Sequence, residues 1–238
     1  MIHARDGHRT TSYRRGELPD VPAADPPPPK HYPDDLPRVE LPRPEMLPEV
    51  SFWETVAHRR SIRDYAPDAL STEDLFLLLW ATQGITQPGA VALRATPSAG
   101  ARFPIETYVA ANRVAGLGPG LYHWELPEER LVLLKADEAA GPAVAEACLN
   151  QAMCAEAACV FLWTAVFDRT LSRYGERGMR YVYMDAGHVG QNLQLAATAL
   201  GLGSCNVGAL FDDEVNRLLG VDGETESIVY AACVGHVR

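Results

Sequence analysis

The sequence predicts an α+β fold: a mixed sheet flanked by helices, with one long helix buried at its centre. Three observations carry this. Ala158 to Phe167 is a nearly unbroken apolar run, the pattern of a central strand buried on both faces. Arg177 to about Leu200 reads as a helix, because Val182, Val189, Leu193, Ala196 and Leu200 fall at spacings of 7, 4, 3 and 4 along one stripe. Helical and strand signals interleave without a regular βαβ rhythm, which favours a mixed α+β sheet over a doubly wound one. At 238 residues one large core is the default.

The first fifty residues differ from the rest. They hold 11 of the 18 prolines and no apolar periodicity, so they cannot pack a core of their own. Residues 1–35 are read as a flexible proline-rich segment, mobile to about residue 30, and residues 36–238 as the folded domain. Arg38 to Pro42 alternates more cleanly and is expected to lie along the body as an arm. Ser51-Phe52-Trp53-Glu54 has the form of a capping box and opens a short helix to about Arg60. Ser71 caps a second helix over 72–84, with Asp74 reaching back and Gly84 ending it.

Ile105 to Ala111 is β-branched and aromatic, hence a strand. Leu121–Glu125 and Arg130–Leu134 flank Leu-Pro-Glu-Glu and read as a hairpin. Residues 138–152 are alanine-rich and read as one helix. In the long helix, Ala186, Gly187, Gly190, Ala197 and Ala199 occupy the other faces, which predicts close neighbours all round. Gly201 and Gly203 stop it. Ser204–Val207 is a short strand, Asp212 caps a helix to Leu219, and Ser227–Val234 is a last strand. Trp80, Trp163 and the Tyr181-Val182-Tyr183-Met184 stretch read as packing.

Composition excludes several functions. The formal charge is −10, a poor basis for nucleic-acid or anionic-membrane binding, so any phosphate must meet a local basic cluster. No apolar run spans a bilayer and the N-terminus carries no signal-peptide pattern, so a cytoplasmic protein is expected. Cys148, Cys154, Cys159, Cys205 and Cys233 are odd in number and lack paired CxxC spacing, and read as reduced, buried small hydrophobes.

Three segments could carry chemistry. Arg59-Arg60-Ser61-Ile62-Arg63 gathers three arginines and a serine at a helix end. A solvated basic helix end is one reading; an anion site built from planar guanidinium donors is the other. The stretch Arg94 to Pro104 sets small residues between two prolines, either a plain connector or a bare backbone that a flat ligand can approach. Gly208 follows a strand and is not needed to stop a helix, which suggests that something lies against the backbone there. Asp185 and His188 share a helical face but lack further ligands, so a hydrogen-bonded core histidine is favoured and no metal site is expected.

Arg59-Arg60-Ser61-x-Arg63, Pro97-Ser98-Ala99-Gly100, Asp185-Ala186-Gly187-His188-x-x-Gln191-Asn192-Leu193 and Gly201-Leu202-Gly203 occur in this order. The set resembles the flavin-dependent nitroreductase superfamily, and within it the SagB/ThcOx-type branch, over about Tyr32 to the C-terminus. The resemblance implies a nitroreductase-like fold, an intertwined homodimer, and FMN at the subunit interface. By position, Arg59 and Ser61 would hold the phosphate and ribityl chain, and Arg60 would contribute through its backbone. Arg63 would sit by the N1/C2 edge of the ring, where a cation favours the anionic reduced flavin. Pro97, Ser98, Ala99 and Gly100 would cross from the partner subunit and pack on the flavin. Val207 and Gly208 would line it, the Gly208 amide facing N5. His236 or Arg238 would close the phosphate site.

The azoline-oxidising members carry a Lys-Tyr pair for proton removal where this chain reads Arg173-Tyr174-Gly175. Arginine stays protonated and is a poor general base, which leaves Tyr174 as the acid or base. The implied activity is ping-pong transfer of hydride from NAD(P)H, which needs no separate dinucleotide fingerprint, to an organic acceptor. Azoline oxidation in peptide maturation, a non-catalytic flavin-binding scaffold and a cofactor-free binding module stand as alternatives.

Overall fold

The structure, a computed structural model, describes residues 6–15, 21, 25–89 and 91–238. In chain order its elements are α1 (Asp6–Thr10), β1 (Arg38–Glu40), α2 (Phe52–His58), α3 (Thr72–Gln83), β2 (Ile85–Gln87), β3 (Leu93–Arg94), β4 (Ile105–Ala111), β5 (Gly120–Glu125), β6 (Arg130–Ala136), α4 (Ala140–Ala147), α5 (Met153–Glu156), β7 (Cys159–Val166), α6 (Asp168–Tyr174), α7 (Gly178–Ala199), β8 (Leu202–Val207), α8 (Asp212–Leu219) and β9 (Glu226–His236).

Seven strands form one sheet in the order β1-β6-β5-β4-β7-β9-β8, while β2 and β3 make a separate ribbon. Each strand pair of the large sheet is antiparallel. Among the described residues, parallel pairing enters only through the isolated bridges Ser61–Ser204 and Leu70–Val114. β7 lies between β4 and β9, and its alternate side chains enter two cores. Phe161, Trp163 and Ala165 pack with α3 and α7, and Val160 and Leu162 pack with α4, α5 and α8. An apolar run without alternation is the result of covering both faces.

The caps form as their residues dictate. Ser71 Oγ accepts the Asp74 amide at 3.0 Å and donates to the Asp74 carboxylate at 2.8 Å, and Ser51 Oγ accepts the Glu54 amide at 3.5 Å. Residues 138–152 are not one helix. α4 stops at Ala147, whose carbonyl is taken by the Phe211 amide at 2.7 Å, and Leu149 and Asn150 turn left-handed. Asp212 lies in the first turn of α8 with Asp213 and Glu214 rather than capping it; Phe211 holds the cap position.

Three further expectations are corrected around α7. It is buried on one side only, through Val182, Ala186, Val189, Leu193 and Ala197. Tyr183 and Met184 are more than half exposed, and His188 is exposed rather than a core residue. A Cβ on Gly187 would meet nothing within 4 Å, so the small residue marks open surface here. Trp163 is in the core, whereas Trp80 is only partly buried against it. All five cysteines are buried and unpaired.

β1 pairs with β6 as the expected arm, Val39 opposite Leu131. Earlier in the chain, the Lys30 ammonium meets the Glu226 carboxylate at 2.6 Å, and Arg169 holds the Pro28 carbonyl at 2.9 Å. Residues 1–5, 16–20 and 22–24 of the segment expected to be mobile lie outside the described residues. No helix among the described residues is long and apolar enough to cross a membrane.

Candidate functional site

The residues singled out from sequence gather into two groups. The first is built on β8. After α2 the chain turns extended at Arg59 and runs beside β8, where Ser61 bridges Ser204 and the Ile62 amide donates to the Ser204 carbonyl at 2.9 Å. This close approach needs Gly203, since a Cβ there would press on the Ile62 side chain and on Val237. Arg59 donates to Gln194 Oε1 of α7 at 3.3 Å. Arg60 turns its guanidinium back onto the carbonyls of Ala57 and Arg59, at 3.0 and 2.7 Å, and so caps the end of α2. Arg63 is exposed, with no hydrogen bond or ion pair among the described residues.

The C-terminus completes this group. The Ala66 amide donates to the His236 carbonyl at 2.9 Å, which ties the end of β9 to the segment after Arg63. Arg238 pairs with Asp64 at 3.0 Å, both side chains being exposed. The His236 ring instead faces the Ala69 carbonyl at 3.3 Å. At the far end of β8, Val207 is buried and Gly208 exposed, and a Cβ on Gly208 would meet only the Tyr230 ring at 3.8 Å. Ser204 and Gly208 are four residues apart, about 13 Å along a strand. One end of this edge is therefore cationic and the other is bare backbone. Asn206 lies between them, its Oδ1 buried without a hydrogen-bond partner among the described residues.

The second group is the Pro97–Gly100 loop. Ser98 donates to Asp185 Oδ2 of α7 at 2.6 Å and accepts the Phe103 amide at 2.8 Å, and the Ala99 amide donates to Asp185 Oδ1 at 3.3 Å. Burial pushes the Asp185 carboxyl above its ordinary range, against the pull of the Ser98 and Ala99 hydrogen bonds. Gly100, Ala101 and Phe103 hold φ of 60°, 53° and 47°, the left-handed region that side chains avoid. Gly100 is required twice over, because a Cβ there would also collide with the Tyr174 hydroxyl. Tyr174 is held edge-on by Tyr181, ring centroids 4.9 Å apart, with the Arg173 guanidinium 5.6 Å from its ring centre.

No hydrogen bond or ion pair joins the two groups among the described residues. Their anchors explain why. Asp185 and Gln194 are nine residues apart on α7, which puts them about 13 Å apart along the axis and on opposite faces. Between those faces runs the exposed strip of Met184, Gly187, His188 and Gln191.

Sequence reading missed Gln194, Tyr230 and Asn206, and assigned Asp185 to a discarded metal site. The signal for Asp185 was available, since an acidic residue on the apolar side of a helix needs a partner. Among the described residues no group of three His, Cys, Asp or Glu side chains is placed to hold a metal.

Comparison with known proteins shows the family. The model of the nitroreductase family matches residues 56–236. A nitroreductase-type protein of Methanocaldococcus jannaschii is 37% identical over 187 residues, 79% of this chain and 91% of that protein. The trifolitoxin-processing protein TfxB of Rhizobium leguminosarum bv. trifolii is 32% identical over 178 residues, 71% of this chain. A nitroreductase-type crystal structure from Anabaena variabilis superposes with a TM-score of 0.66 at 31% identity over 79% of this chain. The chain spans 48% of TfxB and 38% of the Anabaena chain. The family match runs from α2 through the arginine segment, the serine loop, α7 and β8 to His236, so the chain belongs to the nitroreductase family.

Proposed function

We propose that this protein is an FMN-dependent oxidoreductase that works as a homodimer in the cytoplasm, with one flavin site at each end of the subunit interface. The observation that carries this reading is the β8 edge. Its cationic end, with Arg59, Ser61 and Arg63, suits a phosphate, and its bare end at Gly208 suits a flat ring. The orphaned Asn206 Oδ1 between them is a buried acceptor that a ligand donor would satisfy.

When bound, FMN supplies two-electron redox chemistry, taking hydride from NAD(P)H and passing it to an organic acceptor by ping-pong turnover. The protein's own work is binding and orientation. Arg59 and Ser61 hold the phosphate and ribityl chain, Arg63 sets a positive charge by the ring, and Arg60 contributes backbone. Val207 and Gly208 present bare main chain to the ring. Arg238 is better placed than His236 to close the phosphate site, because the histidine ring is turned to the Ala69 carbonyl.

The dimer is proposed on two grounds. Pro97, Ser98, Ala99 and Gly100 are anchored on the opposite face of α7 from Arg59, so one chain does not bring both groups to one ligand. The strip between those faces is exposed and partly apolar, as are Phe52 and Trp53 on the neighbouring α2. In this reading Tyr174 travels with the Pro97–Gly100 loop of its own chain to the flavin held by the other chain, and acts there as acid or base.

An absorbance spectrum of the purified protein, before and after anaerobic NADH or NADPH, is the test. Flavin bands near one per chain that bleach on reduction support the proposal. Bleaching with no acceptor turned over would favour a flavin-binding scaffold, and a colourless protein that takes up no FMN would overturn the flavin reading. Arg63→Ala should keep the fold and weaken FMN binding about tenfold or more, on the scale of a lost charged hydrogen bond.

A second reading is favoured by the likeness to TfxB, a processing protein: SagB-type azoline oxidation on a peptide substrate. Arg173 in place of lysine bears on it directly. Arg173→Lys should raise azoline oxidation if that reading is right, and no gain would place the difference in the substrate pocket.

A further inference from the structure

Beside the serine loop, three guanidinium groups line one cavity of about 240 Å³, in a chain whose net charge is −10. They belong to Arg94 at the end of β3, Arg102 at the end of the loop and Arg169 at the start of α6. Their partners are unequal. Arg169 is fully engaged, by Glu106 at 2.6 Å and by the carbonyls of Pro28 and Phe103 at 2.9 and 3.3 Å. Glu106 in turn is shared with His123 at 3.0 Å.

Arg94 has one neutral acceptor, Gln83 Oε1 at 3.0 Å, and lies 4.6 Å from the Phe103 ring centre. Burial pushes its pKa down to about 10, with the nearby Arg169 adding to the fall and the Glu106 carboxylate pulling the other way. The Arg102 guanidinium has no hydrogen bond and no ion pair among the described residues, and its Nε is buried. A buried donor without an acceptor costs about 1–3 kcal/mol, so such a group calls for an explanation.

We propose that Arg94 and Arg102 form an anion site for a small carboxylate carried on an apolar body. Planar guanidinium groups match a planar carboxylate in a two-pronged fashion. The other lining residues are apolar, among them Pro27, Pro29, Ile85, Phe103 and Leu126, which suits an aliphatic or aromatic acid better than a free phosphate. None of these residues belongs to the proposed flavin site, so the inference does not rest on that reading.

The test is isothermal titration of the full chain as purified with benzoate, with benzamide as the uncharged isostere, and with inorganic phosphate. Benzoate should bind saturably, and benzamide and phosphate more weakly. Arg102→Leu should lower benzoate affinity about tenfold or more, as loss of a charged hydrogen bond does. It should raise the melting temperature of the unliganded protein or leave it no lower, because it removes an unpaired buried donor and the Arg102 side chain bonds to nothing else among the described residues. Arg102→Lys, which keeps the charge, should retain part of the affinity and covers the case in which the leucine variant folds poorly. Arg63→Ala should bind benzoate as the wild type does. Absence of saturable binding at millimolar benzoate, equal binding of benzamide, or tighter binding of phosphate would overturn the proposal. So would an Arg63→Ala loss as large as that of Arg102→Leu, which would move the site to the β8 edge.

Discussion

Ser98 donates its hydroxyl to the Asp185 carboxylate at 2.6 Å, and this bond fastens the Pro97–Gly100 loop to the central helix. The same oxygen accepts the Phe103 amide at 2.8 Å, so one serine holds both ends of a strained turn. The left-handed φ of 60°, 53° and 47° at Gly100, Ala101 and Phe103 persists because these bonds over-determine the loop.

Asp185→Ala removes the acceptor for both Ser98 and Ala99. We expect a loss of about 1–3 kcal/mol, the cost of unsatisfied buried donors, and a larger fractional loss of bound flavin than of folded protein. Urea denaturation and flavin content on the same samples check this. Ser98→Ala combined with Asp185→Ala should cost more than Asp185→Ala alone, because the Phe103 amide also loses its acceptor, but less than the two single losses added, since the pair shares one bond.

Two glycines should respond oppositely. Gly100→Ala meets both a left-handed φ and the Tyr174 hydroxyl, and should destabilise the fold by about 1 kcal/mol or more. Gly208→Val adds side chain at a position where only the Tyr230 ring is near, at 3.8 Å, so it should leave stability within about 0.5 kcal/mol. It should nevertheless block flavin uptake. Melting curves and flavin titration separate the two effects.

Gly187→Arg places a charge on the open strip of α7, where nothing lies within 4 Å. The single-chain fold should be unaffected by circular dichroism. If the proposed dimer forms across this strip, light scattering should find dimer for the wild type and monomer for the variant, and flavin content should fall with it. A variant that stays dimeric would move the interface elsewhere.

Burial pushes the Glu106 carboxyl up, but His123 and Arg169 together outweigh burial and hold it at about 2, below its ordinary 4.5. A carboxyl depressed in the folded state stabilises fully above its unfolded value. Urea midpoints should therefore decline as pH falls from about 4.5 towards 2. Glu106→Gln should flatten that part of the profile. At neutral pH it should cost about 3–5 kcal/mol, because Arg169 would be left buried without its counter-ion.

The parts of this protein that depend on neighbours in sequence were legible without coordinates. The apolar run of β7, the stripe of α7 and the serine caps at Ser51 and Ser71 are local patterns, and each formed within a few residues of its expected place. The alanine-rich stretch at 138–152 misled for a long-range reason: the amide that ends α4 belongs to Phe211. Small residues on α7 were ambiguous for the same cause, since glycine marks close approach at Gly190, against Tyr230, and open surface at Gly187.

By itself, then, the sequence determined the element order, the apolar faces and the ordered motifs that carry the family. Only the tertiary structure decided which of those motifs meet. Ser98 and Asp185 are 87 positions apart, and Arg59 and Gln194 are 135. No periodicity encodes contacts at such separations. They are chosen by how the sheet stacks on α7, and that packing sets the arginine segment and the serine loop on opposite faces of one helix.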